Sequence, residues 1–307
     1  MAILDFYKDY PDENSCKLKF KEIRDNEGVI CKKCGNKEHY WKQDKWSYEC
    51  KKCRFRTSLR SGTVMHSSKL SFQYWFIAMH LLTSTKKSFS AKELQRQLGH
   101  KRYEPIWAMM HKIRSVMGLR DDTYQLTDTI ELDEGFFETV NRDKDKEEPN
   151  KRGRGSQKQA KVLVMVESKH NPENINKNRP DKSVKYLKMK VIENLRAETI
   201  NQELESSVKP DTNVDTDDYP SYKKISKTVN HTPHKVNKAN VNKVLPWVHK
   251  AISNAKRLLL DVHHRIDDDF LQNYLNEFCY KFNRRYFGEK TMERLLIAGV
   301  KHQWNQL

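Results

Sequence analysis

The sequence TIELDEGFF, Thr129 to Phe137, predicts a β-strand that ends in acidic residues. From this strand onward the pattern of the chain changes to strands and helices. Two more strands, a helix, a short strand with an acidic end and a further helix follow, in the stretches KVLVMVES, SVKYLKMKVIE, NLRAETINQELESSV, DTNVDTDDYPSY and PWVHKAISNAKRLLLD. This order predicts an α/β domain with a mixed sheet and helices on its faces.

Two of these strands end in carboxylates that could meet in one cleft. Asp133 lies at the acidic end of the first strand, and Asp217 lies at the acidic end of the fourth. If the strands are neighbours, the two carboxylates supply the hard oxygen ligands that divalent cations prefer. Two metals about 3.5–4 Å apart can stabilise the attacking and leaving oxygens of phosphodiester chemistry. Acidic residues at strand ends are more often solvated turns, so spacing alone leaves both interpretations open.

The charge of the chain favours a polyanionic partner. Its 307 residues include 58 Lys and Arg against 41 Asp and Glu, which gives a formal net charge of +17. Contacts between cationic side chains and phosphates release counterions and provide most of the sequence-independent affinity for nucleic acid. A basic surface that is merely solvated is the alternative.

Nothing in the sequence predicts a membrane segment. The apolar runs, such as WFIAMHLL at Trp75 to Leu82, are much shorter than the roughly 20 residues that span a bilayer, and no signal peptide opens the chain. We therefore expect a cytoplasmic protein with no membrane partner. Six cysteines in such a protein favour metal ligands or free thiols over disulfides.

Four cysteines form two Cys-x2-Cys pairs that are fifteen residues apart, a spacing typical of zinc ribbons. They are Cys31, Cys34, Cys50 and Cys53. Each pair directs two thiolates at one point, and two pairs on neighbouring hairpins complete a tetrahedral site that is closed to water. The predicted Zn²⁺ is therefore structural. Cys16 and Cys279 lie outside the pattern, and we expect them to be small buried hydrophobic side chains.

The segments after the cysteines predict helices. SFQYWFIAMHLLTSTK, residues 71–86, has helical apolar periodicity, and residues 90–119 predict two more helices. Ser90 is a candidate N-cap with Glu93 as its capping-box partner, and Gly99 ends the first of these two helices. The next helix follows after a short turn, as in helix-turn-helix units that read DNA. Short helix pairs also occur in plain helical bundles.

Two polar segments separate the predicted strands. Residues 141–161, NRDKDKEEPNKRGRGSQKQAK, predict a charged hairpin loop, and residues 169–183 predict a second polar loop. Basic residues of these loops, with Arg152 and Arg154 foremost, are candidate DNA contacts. A solvated loop is at least an equal alternative.

Taken in order, these features resemble the ISXO-like insertion-sequence transposases of bacteria, which join a zinc ribbon to a DDE-type catalytic domain of RNase H-like fold. The resemblance runs from about Cys31 to Glu289, and the ordered combination is more specific than any one stretch. The matching stretches are CKKCGNKEHYW, YECKKCRFRTSLRSGTVMHSSKLSFQYWFIAMHLL, IELDEGFFE, RGRGSQKQAKVLVMVES, VDTDDYPSYKKI, LPWVHKAISNAKRLLLDVHHRI and LQNYLNEFCYKFNRRYFGE.

The resemblance implies roles for individual residues. The four paired cysteines match the zinc ligands. Asp133 in ELDEG matches the first catalytic aspartate, and Asp217 in TDDY matches the second, with Asp218 as the alternative. The third catalytic position in such enzymes is usually Glu or Asn, seven residues before a Lys, and counting back from Lys256 gives His249. The implied catalytic site therefore holds two Mg²⁺ or Mn²⁺ ions through Asp133, Asp217 and His249.

A histidine at the third position departs from the family pattern. A carboxylate suits Mg²⁺, whereas a neutral imidazole binds Mg²⁺ poorly. His249 therefore either helps to ligate Mn²⁺, holds a metal-bound water or accepts a proton from the attacking water. On a helix it lies two turns before Lys256 and on the same side. We expect Lys256 and Arg257 to contact DNA phosphate, with an exposed basic helix face as the alternative.

Glu277 is the main rival for the third acidic position. It lies beside an apolar stripe of its predicted helix, formed by Leu271, Leu275, Phe278 and Phe282. Lys281 follows one turn later, which favours a salt bridge over metal binding. The residues Asp267–Asp269 are expected to cap the N terminus of this helix.

The resemblance implies a DNA transposase that binds terminal inverted repeats and uses divalent metals to cleave DNA and join it to target DNA. It also implies a homo-oligomer that holds two ends, located at the nucleoid of the bacterial cytoplasm. The alternatives are a DNA-binding protein with a decayed catalytic domain, and an RNase H-like nuclease or resolvase. The expected organisation is a zinc-ribbon segment at 1–60, a helical DNA-binding region at 61–125, the catalytic domain at 126–290 and a tail at 291–307.

Overall fold

The computed structural model describes residues 2–140, 159–170, 182–225, 227–235, 244–263 and 265–303. The chain forms two compact units, one of residues 1–120 with 284–307 and one of residues 121–283. In chain order the elements are α1 (Ile3–Asp9), α2 (Glu13–Glu27), β1 (His39–Lys42), β2 (Ser47–Cys50), β3 (Arg56–Ser58), α3 (Phe72–Ser84), α4 (Ala91–Leu98), α5 (Glu104–Asp121), β4 (Thr129–Glu138), β5 (Gln159–His170), β6 (Lys182–Ile192), α6 (Ala197–Ser207), β7 (Asn213–Asp217), β8 (Asn230–His234), α7 (Pro246–Val262), α8 (Asp268–Asn283) and α9 (Lys290–Lys301).

The first unit combines helices with a small antiparallel sheet of order β1-β2-β3. Arg24 of α2 is buried and donates hydrogen bonds to the carbonyl groups of Ser58, Leu59 and Ser61. These bonds tie α2 to the chain that follows β3. The segment after residue 290, which the sequence predicts as a tail, contains α9, and α9 packs on α2 and α3.

The two helices predicted after residue 90 are present as α4 and α5. Ser90 is the N-cap of α4, and its hydroxyl accepts a hydrogen bond from the N–H of Glu93 at 3.0 Å. Gly99 ends α4 in the left-handed conformation, φ +62°. The carboxylate of Glu93, predicted to bind back to the cap, instead accepts hydrogen bonds from Arg96 and Gln97. The predicted start and end of this helix are therefore confirmed.

The second unit is built on a five-stranded mixed sheet of order β6-β5-β4-β7-β8. β4, β5 and β6 form an antiparallel meander, whereas β7 pairs in parallel with β4 on one side and with β8 on the other. This arrangement confirms the predicted RNase H-like mixed sheet flanked by helices.

Helices cover both faces of the sheet because β4 and β5 bury side chains on both sides. On one face, Val162, Val164 and Val166 pack with α7 and α8. On the other face, Leu163 and Met165 pack with Ile130 and Leu132 of β4 and with α6. Side chains alternate along a strand, so the residues of β4 between the apolar ones, including Asp133, lie on the α7 face.

The strand β8 is absent from the predicted elements. Its sequence, NHTPH, contains no aliphatic side chain, and Pro233 lacks the N–H that a central strand would use. The local sequence therefore does not predict a strand at these residues. β8 lies at the edge of the sheet, where such residues are tolerated.

The other edge strand, β6, is covered by side chains of α8. Asn283 accepts a hydrogen bond from the N–H of Leu187 and donates one to the Leu187 carbonyl, at 2.8 and 2.9 Å. Gln272 makes the same pair of contacts with Val191 N–H and Met189 C=O. These two amides satisfy backbone groups that an edge strand otherwise leaves open. They also fix α8 along the sheet.

Cys16 and Cys279 are both buried, as predicted for cysteines outside the zinc pattern. In the part of the chain that the structure describes, every helix is too short or too polar to cross a bilayer.

We predict that Asn283→Ala lowers the free energy of unfolding by about 1–3 kcal/mol, because it leaves buried backbone groups of β6 without partners. Urea unfolding followed by circular dichroism measures the change. Gln202→Ala, on the exposed part of α6, is the matched control and should stay within about 0.5 kcal/mol of the parent. Equal effects of the two substitutions would show that Asn283 does not stabilise the edge.

Candidate active site and zinc centre

Asp133 and Asp217 lie on neighbouring parallel strands. Asp217 is the last residue of β7, as predicted, whereas Asp133 lies in the middle of β4, which continues to Glu138 instead of ending at the acidic residues. The paired register of β4 and β7 ends at Glu131 opposite Asp215. Asp133 and Asp217 are each two residues further along their strands, so the same register carries them past the end of the ladder side by side. The negative charge of Asp217 accordingly raises the pKa of Asp133. The structure thus brings together the two aspartates that the sequence predicts as catalytic residues.

His249 of α7 is in direct contact with Asp133. Its Nε2 atom lies 3.2 Å from Asp133 Oδ2. The other carboxyl oxygen, Oδ1, accepts a hydrogen bond from the N–H of Glu134 at 2.8 Å. The His249 side chain keeps 36% of its surface exposed, against 18% for Asp133. The imidazole therefore lies between the buried carboxyl and solvent.

The pKa of Asp133 is raised to about 8. Burial is the largest cause, since it disfavours the charged carboxylate. The carboxyl of Glu134 raises the pKa further, because it shares a hydrogen bond with Asp133 and carries a like charge, whereas the backbone N–H of Glu134 lowers it. Without a cation, the cluster therefore favours a protonated Asp133 at neutral pH.

Glu134 and Tyr222 join this cluster and were missed in the sequence. The Tyr222 hydroxyl is buried and donates a hydrogen bond to Glu134 Oε2 at 2.8 Å. Burial and the neighbouring carboxylates raise the pKa of Tyr222, so the hydroxyl remains a donor. Glu134 directly follows Asp133, and Tyr222 belongs to YPSY just after the second aspartate. Their positions directly beside the two aspartate motifs are the only feature of the sequence that could have indicated a role in the site.

A histidine on β8 also approaches the second aspartate. His234 is the register partner of Asp217, and its Nε2 lies 3.0 Å from Asp215 Oδ1. A carboxylate that holds one ring nitrogen orients the imidazole. The sequence did not point to His234, because the strand that places it there has no predictive pattern.

The donors of this site fit a hard divalent cation. Glu134 Oε1 is buried, and none of the described N–H or hydroxyl groups donates to it. Together with the carboxylates of Asp133 and Asp217 it forms a cluster of negative charge that a cation would neutralise. Across the described ranges, no three of the site's carboxylate or imidazole groups lie within 4.8 Å of one another. The neutral imidazole of His249 suits Mn²⁺ better than Mg²⁺.

The residues predicted to contact DNA differ in how far they are exposed and in whether the structure describes them. Lys256 is half-buried, with its ammonium 5.6 Å from the centre of the Phe137 ring, and Arg257 is exposed on the same helix. Lys256 and Arg265 line a cavity of about 500 Å³ at the end of α7. Asp218, the alternative second aspartate, is exposed beyond β7. Arg152 and Arg154 lie outside the described residues, as do most of the two predicted polar loops.

The rival residue Glu277 is fully buried on α8, and its carboxylate lies 3.6 Å from the ammonium of Lys281. This is the ion pair that the helical spacing predicts. Asp267 accepts a hydrogen bond from the N–H of Asp269, as expected at the start of α8. The carboxylates of Asp267–Asp269 also lie within 4.8 Å of one another, but all three are partly or fully exposed.

The four paired cysteines converge in the first unit. All four Sγ atoms lie within 4.8 Å of one another, and the pairs Cys31–Cys53 and Cys34–Cys50 are 3.5 and 3.6 Å apart. Tetrahedral zinc with Zn–S bonds of 2.3 Å requires Sγ atoms about 3.8 Å apart. The cluster therefore fits the predicted zinc ribbon.

The two cysteine turns have matching backbones. The N–H of Gly35 bonds to the carbonyl of Cys31, and the N–H of Arg54 bonds to the carbonyl of Cys50. Both residues have positive φ, +71° and +60°. Burial raises the pKa of the Cys50 thiol, but backbone N–H groups and neighbouring thiols lower it to about 6. A thiolate, which is the zinc-binding form, is thus favoured at this position.

Comparison with known proteins identifies one family. The sequence profile described as "ISXO2-like transposase domain" matches residues 125–283, more than half of the chain and nearly all of the second unit. A comparison with curated proteins finds no match.

Several solved structures show a distant similarity. The "Mos1 transposase paired-end complex with left transposon end" has 13% identity and a TM-score of 0.28, and the match covers 74% of this chain and 79% of that one. The "pre-cleavage Mos1 transpososome" has 12% identity and a TM-score of 0.26, with 75% and 80% covered. The family assignment depends on the sequence profile and not on these low scores.

We predict that the stability difference between the parent and Asp133→Asn depends on pH in metal-free protein. The folded-state pKa of about 8 lies above the unfolded value near 4, so the folded parent binds one proton more between these pH values. The contribution of Asp133 to stability is therefore complete below about pH 4 and is lost as pH rises to about 8.

Urea unfolding in chelator at several pH values measures this difference. Relative to Asp133→Asn, the parent should lose stability as pH rises, by at most about 1.4 kcal/mol per pH unit. Asp218→Asn removes the exposed neighbouring carboxyl and controls for the loss of one negative charge. A parent-to-Asp133→Asn difference that stays constant with pH would contradict the raised pKa.

Proposed function

The chain belongs to the ISXO2-like transposase family, and from this we propose that it cleaves DNA at the ends of its insertion sequence and joins them to target DNA. The observation that carries the proposal is the placement of Asp133 and Asp217 on adjacent parallel strands with His249 in contact with Asp133. Hydrolysis would expose a 3′-hydroxyl at the element end, and that hydroxyl would attack a target phosphate. Both steps are in-line displacements at one site.

In this proposal Asp133 and Asp217 hold two divalent cations, Mg²⁺ or Mn²⁺. When bound, the metals would activate the attacking oxygen and stabilise the charge on the leaving oxygen. Glu134 is a further carboxylate beside Asp133, and Tyr222 holds it in place through its hydroxyl.

We assign His249 to proton transfer rather than to metal binding. Its imidazole is partly exposed beside Asp133, and a neutral imidazole has a ring nitrogen that can accept a proton from the attacking water. Lys256, two turns along α7, would contact a phosphate of the bound strand as a point charge. Arg257, Arg152 and Arg154 are proposed as further phosphate contacts.

The first unit would bind the terminal inverted repeats. Its cysteine cluster would hold a structural Zn²⁺. The helices α4 and α5, which follow one another after a short turn, would act as a helix-turn-helix. Lys92 and Arg96 of α4 line a groove of about 410 Å³ at its surface. Pairing of two element ends would require at least two copies of the chain. We propose that this assembly acts on the nucleoid in the bacterial cytoplasm.

A DNA-binding protein without catalysis is the second candidate. It is favoured by His249 at a position where the family usually has Glu or Asn. In the described part of the chain, no three donor groups of the site lie within 4.8 Å of one another, which also favours it. This candidate binds end DNA but does not cleave it. A nuclease or resolvase on the same fold would cleave end DNA and never join it to a target.

A strand-transfer assay with purified protein, end DNA, target DNA and Mn²⁺ or Mg²⁺ separates these functions. We predict that Asp133→Asn and Asp217→Asn each lower cleavage and joining at least about a hundredfold, since several kcal/mol of charge stabilisation is lost. Asp218→Asn, the exposed neighbour, is the matched control and should keep parental activity. Asp217→Asn activity equal to that of Asp218→Asn would refute the site.

His249→Glu tests the assignment of the histidine. Loss of cleavage in both metals is expected if the imidazole transfers a proton. Higher activity in Mg²⁺ would instead show that position 249 serves as a metal ligand.

A further inference from the structure

Glu131 lies on the same face of β4 as Asp133, two residues earlier, and contacts the start of α7. Its side chain is buried, with 7% of the residue exposed. Oε2 of Glu131 accepts hydrogen bonds from the N–H of Trp247 at 2.7 Å and from the N–H of Val248 at 2.9 Å. These residues are 116 and 117 positions away in the sequence, so the contact joins the central strand directly to the helix that carries His249.

The first turn of α7 requires an external acceptor. Leu245, which precedes the helix, is in the left-handed conformation, and its side chain offers no cap. Pro246 has no N–H, and the N–H of His249 bonds to the Leu245 carbonyl at 3.3 Å. The two donors that remain in this turn belong to Trp247 and Val248, and Glu131 accepts from both. A helix N terminus leaves such N–H groups without partners inside the helix, and the Glu131 side-chain oxygen supplies the acceptor for both.

A second contact holds α7 close to β4 on the other side of Asp133. Gly135 has no side chain, and a Cβ atom there would lie 2.9 Å from Phe137 Cε2 and 3.4 Å from Ile252 Cγ2. A side chain at this position would press on the Phe137 ring and extend into van der Waals contact with Ile252, so glycine leaves this face of the strand open beside the helix. This contact does not depend on the bonds made by Glu131.

Three alternate residues of β4 therefore meet α7 in succession. Glu131 binds the N–H groups of Trp247 and Val248, Asp133 meets His249, and Gly135 leaves room for Ile252. Period-2 alternation puts residues 131, 133 and 135 on one face of the strand. His249 immediately follows the two residues that Glu131 binds, so small displacements of the first turn would change its distance from Asp133.

We propose that Glu131 is a positioning residue of the active site, whose carboxylate fixes the first turn of α7 so that the His249 imidazole meets Asp133. This inference depends on the proposed function for the roles of Asp133 and His249. Glu131 acts through the helix and not on the DNA. A misplacement of about 1 Å in a catalytic group can lower a rate by about a hundredfold.

The test compares two substitutions of similar size. Glu131→Gln keeps a side-chain oxygen that can accept both N–H groups, whereas Glu131→Met has no such oxygen. The exposed Glu138 of the same strand supplies the control, Glu138→Met. Three quantities are measured for each protein: the single-turnover cleavage rate, the Kd for end DNA, and the NMR resonances of the His249 imidazole in metal-free protein without DNA.

We expect Glu131→Gln to cleave within about threefold of the parent with unchanged His249 resonances. Glu131→Met should cleave about a hundredfold more slowly with a Kd within twofold of the parent, and its His249 resonances should move. A merely structural role would not separate cleavage from DNA binding in this way. If Glu131→Met does not fold, Glu131→Asp replaces it, because the shorter side chain withdraws the oxygen while keeping the charge.

Two results would overturn the inference. The first is that Glu131→Met, or Glu131→Asp in its place, has the same His249 resonances and the same cleavage rate as Glu131→Gln. The other is a Glu131→Gln protein that is as impaired as Glu131→Met, which would show that the acceptor oxygen is not what matters. If the parent itself does not cleave DNA, the proposed function fails, and the His249 resonances still decide whether Glu131 positions the helix.

Discussion

The parallel pairing of β4 with β7 is the constraint on which the second unit depends. The meander of β4, β5 and β6 supplies the core of the sheet, but only the added parallel strand brings Asp217 beside Asp133. The ladder between β4 and β7 ends two residues before these aspartates, although Asp133 still pairs with β5 and Asp217 with β8. Glu134 and Tyr222 lie near them, so a cluster of negative charge forms in a largely buried position.

The negative charge of that cluster costs free energy unless a positive charge or a proton offsets it. Three features of the protein lower this cost. Asp133 takes a raised pKa, His249 approaches it from α7, and Tyr222 donates to Glu134. Buried like charges are retained where a cation or a proton is to be handled. Such an arrangement is what the proposed phosphodiester chemistry would require, and membership of the transposase family agrees with that proposal.

The sequence predicted those features that depend on local pattern. The cysteine spacing predicted the Sγ cluster, apolar alternation predicted β4, β5 and β6, and Ser90 and Gly99 predicted the limits of α4. Contacts between distant segments were not predictable in this way. β8 has no aliphatic pattern, and the bonds from Glu131 to α7 span more than a hundred residues. The roles of Asp133 and His249 came from a family resemblance, since an acidic strand end or a helix-surface histidine is ambiguous by itself.

The central claim is that Asp133 and Asp217 together hold the catalytic metal. Anomalous diffraction from crystals of the protein soaked in Mn²⁺ tests it most directly. The account predicts an anomalous peak between the two carboxylates, with oxygen distances of about 2.1 Å as in octahedral sites for small divalent cations. A peak only at the exposed Asp267–Asp269 cluster, with none beside Asp133, would contradict it.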